Sequence, residues 1–479
     1  MIREPFDVVV RHALVATACD TFHADIGIHK GRIVQLGSDL PAGHREIDAQ
    51  GRVVTPGGVD AHCHLDQPMQ APACMADNFE SGTRSAACGG TTTVIPFAAQ
   101  MKGQSLRAAV EDYHRRAEGQ AHVDYAFHLI VSDPTPQVLE NELPELIGKG
   151  YTSFKIYMTY DDLKLNDGQI LDLLELAKRH DAMAMVHAEN ADCIEWLTRR
   201  LEASGRTAPR YHAHARPMLV EREATHRAIA LSELVDVPIL IVHVSGRDAV
   251  EQIRNARALG MKIFAETCPQ YLFLTADDLG IDDSYQGARC VCSPPPRDKS
   301  NQKVIWDGLA DGLFTVFSSD HAPFRFNAPE GKKPGGGEVA FRHIPNGIPG
   351  LETRMPLLYS EGVLGGKITL NRFVELTATN PAKAYGIHPR KGSIAIGSDA
   401  DLVIWEEREI SLTNASLHHA VDYTPYEGMT LRAWPRITLV NGEIIWDGER
   451  FHPRQGRGRF LHCARPSLLP PALQSLPRT

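Results

Sequence analysis

The sequence predicts an α/β fold: a closed (β/α)8 TIM-like barrel with a smaller β-sandwich domain built from both chain ends. Eight short apolar or β-branched runs alternate with helical patterns, which is the order of elements in such a barrel. Several of these runs end in a side chain that binds metal ions in proteins, and further strand patterns occur near both chain ends. Because the carboxyl ends of barrel strands meet at one mouth, we expect these side chains to lie together.

The barrel elements follow from hydrophobic spacing. The predicted strands are Val53–Asp60, Thr91–Ala98, Val123–Val131, Thr152–Met158, Ala182–Val186, Pro238–Val242, Lys262–Thr267 and Phe314–Ser319. Apolar residues three and four apart predict helices over Ser105–Glu118, Gln137–Ile147, Gly168–Arg179, Val220–Val235, Asp248–Leu259 and Gln302–Leu309. Ser105 and Asp248 are predicted N-caps, and Gly260 is a predicted helix stop. The glycine-rich stretch Arg325–Arg342 predicts a mobile loop, either a lid or wall of the site or simply disordered.

Strand patterns also flank the barrel on both sides. They are Asp7–Val15, Ala24–His29 and Arg32–Leu36 before it and, after a helical stretch at Asn371–Tyr385, Asp401–Trp405 and Ile437–Trp446 with an Asn441-Gly442 hairpin turn. The predicted parts are residues 1–55 (sandwich, N-terminal part), 56–385 (barrel), 386–450 (sandwich, C-terminal part) and 451–479 (tail). The tail is rich in Pro, Arg and Gly, so we expect it either to be disordered or to dock on a neighbouring subunit.

Composition excludes several classes of protein. A net charge of −9 over 479 residues leaves no basic footprint, so nucleic acid is not an expected partner. No run of about 18 apolar residues indicates a membrane span, and Met1–Asp7 does not resemble a signal peptide. The odd number of cysteines, nine, without framework spacing, favours free thiols in the cytoplasm.

His62 and His64 end the first predicted strand. At alternate strand positions both rings point to the same side, so both reach one cation. The spacing alone is weak evidence, because 22 histidines give roughly one such pair by chance. His212 and His214 have the same spacing in a polar, arginine-containing stretch, where a surface loop is predicted.

His187, His243 and Asp320 each come directly after another apolar strand. A single histidine in this context is more often a hydrogen-bonded core residue. Together with His62 and His64, however, the set places four histidines and one aspartate at the same end of one barrel. The sequence therefore predicts a metal site, with zinc as the preferred ion and manganese, cobalt or iron as alternatives.

Lys155 lies inside the otherwise apolar fourth strand. An ammonium group is costly to bury there and repels metal ions. One explanation is a neutral amine that has reacted with carbon dioxide, since a carbamate supplies negative charge to two divalent cations. The alternative is a lysine whose charged end reaches the barrel rim.

Eight motifs together resemble the hydantoinase/dihydropyrimidinase family of the amidohydrolase superfamily. They are PGGVDAHCHLD (56–66), FKIYMTY (154–160), VHAEN (186–190), VHVS (242–245), ETCPQY (266–271), SSDH (318–321), NPAK (380–383) and GSDAD (397–401). The resemblance covers nearly the whole chain. It implies two divalent metal ions, zinc above all, and an N6-carboxylysine at Lys155 that bridges them.

The resemblance also implies a role for each site residue. His62, His64 and Asp320 would hold one ion and His187 and His243 the other. Asp320 and Tyr160 would be catalytic, with Tyr160, Ser293 and Asn346 binding the substrate amide. Specificity would lie in loops after strands one, two and four, which contain Leu65, Gln67, Met69, Phe97, Tyr157 and residues 161–163.

The implied function is ring opening of hydantoins or dihydropyrimidines to N-carbamoyl amino acids, of the D-hydantoinase/dihydropyrimidinase type, by a cytoplasmic homotetramer. Alternatives are a cyclic imide hydrolase, an allantoinase or a dihydroorotase. The last usually has Arg and Asn soon after the His-x-His pair, where this chain has Leu65-Asp66-Gln67. A non-catalytic scaffold of the same fold would lack metal ligands, whereas every ligand position here is filled.

Overall fold

The structure, a computed structural model, describes residues 6–454 and 456–470. It confirms the predicted fold class, an α/β barrel with a smaller β domain from both chain ends. The first strands of the chain are β1 (Phe6–Ala16), β2 (Thr21–His29), β3 (Arg32–Gly37), β4 (Gly43–Asp48) and β5 (Val53–Pro56). The barrel strands are β6 (Gly58–Asp60), β7 (Thr91–Val94), β8 (Phe97–Ala99), β9 (Asp124–Tyr125), β10 (His128–Ile130), β11 (Ser153–Tyr157), β12 (Met183–His187), β13 (Ile239–Ile241), β14 (Ile263–Thr267) and β15 (Val316–Phe317). Strands β16 (Leu402–Ser411), β17 (Thr430–Val440) and β18 (Glu443–Trp446) follow.

The barrel strands are all parallel. β7 and β8 are two halves of one predicted strand, because Pro96 between them has no N–H for the ladder. β9 and β10 are likewise halves of the next predicted strand. The first and last strands meet just past their ends, where the His64 amide donates to the His321 carbonyl at 2.7 Å. This contact brings His64 beside the segment that contains Asp320.

The first predicted strand, Val53–Asp60, is wrong as a single element. Its first half, β5, pairs with β16 in the small domain, and its second half, β6, starts the barrel. The break is at Gly57, where a Cβ would lie 2.1 Å from the Thr92 hydroxyl, so only glycine lets the backbone pass. The two domains therefore share one continuous stretch of chain directly before the predicted metal ligands.

The helices surround the barrel. They are α1 (Phe79–Cys88), α2 (Leu106–Ala117), α3 (Leu143–Gly148), α4 (Asp167–His180), α5 (Ala191–Ala203), α6 (Tyr211–Ala215), α7 (Met218–Val235), α8 (Arg247–Ala258), α9 (Gln270–Phe273), α10 (Ser300–Ala310), α11 (Arg354–Leu358), α12 (Leu370–Val374) and α13 (Asn380–Ala384). The seven predicted helical stretches are confirmed within a few residues. The predicted cap at Asp248 is wrong, because Gly246 precedes α8 and Asp248 lies in its first turn. Ser105 caps α2 as predicted. In the described residues no helix is long and apolar enough to cross a membrane.

Hydrophobic spacing does not predict α1 and α5, nor the short helices α6, α9 and α11. Helix α1 is built largely from small and polar residues, FESGTRSAAC, which give no apolar stripe. Helix α5 buries only Ile194 and Thr198, so its sequence lacks the pattern of a core-facing helix.

The small domain is one mixed sheet in the order β18-β17-β16-β5-β1-β2-β3, with β4 paired to β1. The central β5–β16 pair is antiparallel and joins the two chain ends, with Val54 opposite Ile404. The Asn441-Gly442 turn is confirmed, since both residues have positive φ, 51° and 78°. Apolar side chains such as Val10, Ile26 and Leu402 form the core of this sheet.

Two predicted flexible segments are well packed. Residues 456–470 of the tail lie against the chain's own barrel: the Leu461 amide donates to the Tyr125 carbonyl at 2.7 Å, and Leu461 is buried. The expectation of disorder is therefore wrong for these residues, whereas docking on a neighbouring subunit stays a prediction. In the 325–342 loop, Lys332 is fully buried and holds two neighbouring segments, so the loop is anchored and not free. Residues 1–5, 455 and 471–479 lie outside the described residues.

Candidate active site

His62, His64 and Asp320 meet at the mouth of the barrel, as the sequence predicts. The Asp320 carboxylate lies 3.1 Å from His62 Nε2 and 3.6 Å from His64 Nε2. One donor atom of each residue lies within 4.8 Å of the others, which is close enough for a shared metal ion. Although burial opposes it, His62 and His64 hold the pKa of Asp320 below its ordinary value, so it stays a carboxylate.

His187 and His243 form a second pair at the same mouth. His187 Nδ1 and His243 Nε2 face one another at 2.9 Å. Lys155 lies between the two groups, with its Nζ 2.8 Å from His62 Nε2. His64, His187, His243, Asp320 and Lys155 line one cavity, and His62 lies 3.1 Å from Asp320, so the candidate ligands meet as the barrel topology predicts.

Carboxylate and amide groups behind three of these rings explain their orientation. His62 Nδ1 donates to Glu266 at 2.6 Å, His64 Nδ1 to Gln67 at 2.6 Å, and His187 Nε2 to Glu189 at 2.7 Å. Because the outer nitrogen of each ring carries the proton, the inner nitrogen presents a lone pair to the mouth. This donor set fits metal ions.

Glu266 and Glu189 belong to this arrangement, although the strand-end pattern does not predict them. Both are buried with 0% exposure, although both lie in motifs that were recognised for other residues. Burial opposes ionisation of Glu189, but Arg216 at 2.9 Å and His187 outweigh it and lower the Glu189 pKa to about 2. For Glu189, the sequence signal was its position two residues after the strand-end histidine His187.

Lys155 does not reach the barrel rim, because its side chain is 1% exposed. It lies on β11 over the Phe97 ring, with Nζ 4.6 Å from the ring centroid. Burial lowers the pKa of Lys155 to about 8, against the opposing influence of Asp320 and Glu266. An amine with this pKa is partly neutral near pH 7 and is therefore a nucleophile towards carbon dioxide.

Three residues of the site have strained backbones. Tyr160, His243 and Asp320 have φ values of 66°, 39° and 49°, in the left-handed region that side chains other than glycine seldom adopt. Such strain persists where surrounding structure enforces it, and it is common at functional sites. The strained residues here are two strand-end ligands and the tyrosine beside them.

Tyr160, Ser293 and Asn346 lie together on one side of the mouth, as the resemblance implies. The Asn346 amide nitrogen is 3.4 Å from the Tyr160 hydroxyl, and all three residues line the same cavity. Burial raises the pKa of Tyr160 to about 12, so its hydroxyl remains a donor at neutral pH.

His212 is not in a surface loop, and that prediction is wrong. Its side chain is buried in α6, where Nε2 lies 2.8 Å from the Cys292 carbonyl and 3.4 Å from the Ser293 hydroxyl. Burial lowers the His212 pKa to about 3, so the ring is neutral. His214, two residues on, is exposed as predicted. The neighbouring residues in the sequence are polar and predict a surface position, but the helix directs the His212 ring inward and the His214 ring outward.

The mouth opens into a cavity of about 250 Å³. Of the predicted specificity residues, Gln67, Met69, Tyr157, Asp162 and Leu163 line it, together with Met75 and Phe324. Leu65 instead packs in the core, Phe97 lies beneath the His64 ring, and Asp161 is exposed. The cavity therefore combines a polar, ligand-lined floor with largely apolar walls, as small-molecule sites do.

Comparison with known proteins agrees with this geometry. The model of the amidohydrolase family matches residues 53–445. The chain belongs to the amidohydrolase family. Within this family, the D-hydantoinase of Rhizobium radiobacter is 43% identical over 456 residues, which cover 95% of this chain and 98% of that protein. The D-hydantoinase of Geobacillus stearothermophilus is also 43% identical, over 461 residues covering 95% of this chain and 96% of its own.

Solved structures of other amidohydrolases have the same fold. The dihydropyrimidinase of Brevibacillus agri superposes with a TM-score of 0.92 and 43% identity, covering 95% of this chain and 98% of that one. The L-hydantoinase of Arthrobacter aurescens has a TM-score of 0.85 and 29% identity, with 95% and 99% covered. These matches confirm the resemblance to the hydantoinase/dihydropyrimidinase family, and the chain is a hydrolase.

Proposed function

We propose that this chain is a cyclic amidase that opens hydantoins or dihydropyrimidines to N-carbamoyl amino acids, of the D-hydantoinase/dihydropyrimidinase type. The main support is that four of the five strand-end residues, Lys155 and the amide-binding trio line one 250 Å³ cavity, and that the fifth, His62, lies 3.1 Å from Asp320. The reaction adds water across the ring amide. A C–O bond forms, the C–N bond breaks, and the leaving nitrogen takes a proton.

The proposed cofactors are two divalent metal ions, preferably zinc, held by His62, His64, Lys155, His187, His243 and Asp320. For this role Lys155 would be an N6-carboxylysine. Its negative carbamate would attract the metal ions, whereas the positive ammonium of an unmodified lysine would repel them. When bound, the ions activate water and polarise the substrate carbonyl. The inward lone pairs of His62, His64 and His187, which Glu266, Gln67 and Glu189 enforce, support this assignment.

Asp320 is the proposed proton carrier. It lies at the centre of the ligand group, within 3.1 Å of His62 Nε2, and its lowered pKa keeps a free base available at neutral pH. It takes a proton from the attacking water and delivers it to the ring nitrogen as the C–N bond breaks.

Tyr160, Ser293 and Asn346 are the proposed substrate-binding residues. Tyr160 donates from its hydroxyl to the carbonyl oxygen, where negative charge develops as water adds. Ser293 and Asn346 hold the rest of the amide, since a hydroxyl and a carboxamide each offer both a donor and an acceptor. The 3.4 Å approach of Asn346 to Tyr160 supports their action on one small ring.

The proposal extends to the assembly and location of the enzyme. We propose a homotetramer in the cytoplasm that acts on a small cyclic amide or ureide, with nucleic acids and membranes not among its partners. All nine cysteines are unpaired, which suits a reducing compartment.

The test is metal content and ring-opening activity, measured on one preparation of wild type and of Lys155→Ala. We expect about two metal ions per chain, activity towards dihydrouracil or 5-substituted hydantoins, and loss of activity in the variant. Lys149→Ala, at an exposed surface lysine, is the matched control and should behave as wild type. Activity on a simple imide alone would favour the cyclic imide hydrolase. A chain inert towards all substrates, even with added zinc and bicarbonate, would contradict the proposal and favour a scaffold.

A further inference from the structure

Lys332 is a buried amine outside the proposed metal centre. Its side chain has 0% exposure, and its Nζ donates to the Val291 carbonyl at 2.8 Å and to the Pro345 carbonyl at 2.6 Å. The hydrogen bonds found for its Nζ in the described part of the chain go to these carbonyl oxygens and not to a carboxylate. Burying an ammonium group is costly, and two carbonyl oxygens offset this cost less fully than a carboxylate would, so the position of Lys332 calls for a structural explanation.

The two carbonyls belong to the segments that contain the proposed amide-binding residues. Ser293 is two residues after Val291, and Asn346 directly follows Pro345. The segments also contact each other, since the Gly347 amide donates to the same Val291 carbonyl at 3.0 Å. On its other side Gly347 packs against Ala322, where a Cβ would lie 2.4 Å from the Ala322 Cβ, so this position needs glycine.

The backbone of Lys332 is itself fixed, which makes its side chain a rigid support. Its amide donates to the Arg325 carbonyl at 2.8 Å, and its carbonyl accepts from the Tyr285 hydroxyl at 2.5 Å. The neighbouring Gly331 has no room for a side chain, because a Cβ would lie 1.9 Å from the Arg325 carbonyl oxygen. The turn therefore aims the amine at one point between the two segments.

We propose that Lys332 is a positioning residue that sets the separation of Ser293 and Asn346 and thereby the fit of the substrate amide. This inference rests on the proposed function, since it assigns Lys332 to the same site. Burial lowers the Lys332 pKa to about 7, yet the contacts survive deprotonation. The ammonium has three N–H donors and the neutral amine has two, which suffice for two carbonyls.

Lys332→Met tests this assignment, because methionine keeps an unbranched side chain of similar length and removes the donors. We expect KM to rise about 10-fold, the effect of losing roughly one net hydrogen bond, with kcat changed less than about 3-fold. Metal content should stay at the wild-type level, since Lys332 lies outside the ligand set. Lys333→Met is the matched control: this neighbour bonds Asn327 at 3.2 Å on the surface, and its KM should not change.

A double variant separates positioning from general support of the fold. If Lys332 acts through Ser293, then Lys332→Met adds little to the KM of Ser293→Ala. Lys332→Gln, which retains a donor for one carbonyl, should give an intermediate KM and decides the matter if Lys332→Met folds poorly. An unchanged KM, full additivity with Ser293→Ala, or a parallel loss of metal would overturn the inference. Wild-type inactivity would instead contradict the proposed function itself.

Discussion

Each of three histidines at the mouth has one nitrogen that faces the other ligands and one that is held from behind. The supporting acceptor for His62 is Glu266, which also accepts from the His243 amide at 3.1 Å. One glutamate on β14 therefore fixes residues that follow β6 and β13, one from each group of proposed ligands. Supporting acceptors of this kind set both ring orientation and the strength of the ring as a ligand.

Burial raises the Glu266 pKa to about 8, so above this pH Glu266→Gln should weaken metal binding about 10- to 100-fold, because the amide keeps the shape but lacks the charge that strengthens His62 as a donor. The measurement is metal retained per chain during titration with a chelator. Glu142→Gln is the control: Glu142 is equally buried, but its carboxylate accepts from the Leu106 amide at 2.7 Å at the start of α2. Equal metal retention in the two variants would show that Glu266 does not support the site.

At the scale of residues, the sequence predicts the place of a side chain when that place depends only on the direction of its strand. His62, His64, His187, His243 and Asp320 were predictable because strand ends converge in a barrel, whatever the details of packing. His212 was not, because its inward orientation depends on how the short helix α6 rests on the Cys292 segment. Contacts between loops are determined by tertiary packing, which hydrophobic periodicity does not report.

At the scale of elements, a histidine–glutamate pair connects the barrel to the loop between β16 and β17. His418 Nδ1 lies 2.8 Å from Glu352, which also accepts from Ser85 of α1 at 3.2 Å. The Glu352 carboxylate raises the His418 pKa, although burial opposes it. The folded state therefore binds the proton more tightly than the unfolded chain, and the pair is a pH-dependent connection.

His418→Gln should lower stability by about 1 kcal/mol at pH 6, and less at pH 9. The raised pKa means that the contribution is complete below the unfolded value of 6.5 and is lost as pH rises through the folded value. The measurement is the difference in Tm between variant and wild type across this range. His419→Gln gives the opposite trend, because burial lowers the His419 pKa and wild type loses stability as pH falls. A pH-independent difference for His418→Gln would contradict the charged pair.

The elements that the sequence misplaced share a physical cause. The run Val53–Asp60 looks continuous, yet Gly57 lets it leave one sheet and enter another. The tail lacks an apolar stripe, yet Phe460 bridges to Tyr125 because the barrel strand supplies the partner groups. Both errors concern where an element packs, which depends on a partner that is distant in sequence.

At the scale of the whole molecule, one buried lysine joins barrel, small domain and tail. Lys391 Nζ lies 2.7 Å from Asp124 of β9, 2.7 Å from Asp401 beside β16 and 3.1 Å from Asp399. Asp124 also accepts from the amide of Arg459 in the tail at 2.9 Å. The cluster lies at the start of a barrel strand, away from the mouth, so it serves stability and not catalysis.

Lys391→Met should lower the free energy of unfolding by about 3–5 kcal/mol, because it leaves Asp124 and Asp401 in a buried site without the cation they share, while Asp399 keeps Arg390 at 2.8 Å. Since the cluster is remote from the ligands, the folded fraction should retain wild-type metal content and KM. Urea unfolding followed by fluorescence measures the free energy of unfolding. Metal content and KM are measured at urea concentrations below the unfolding transition. Lys303→Met, which removes an exposed pair with Asp307, should change stability by less than about 1 kcal/mol. A Lys391 variant as stable as this control would show that the domains are held together without the buried ion cluster.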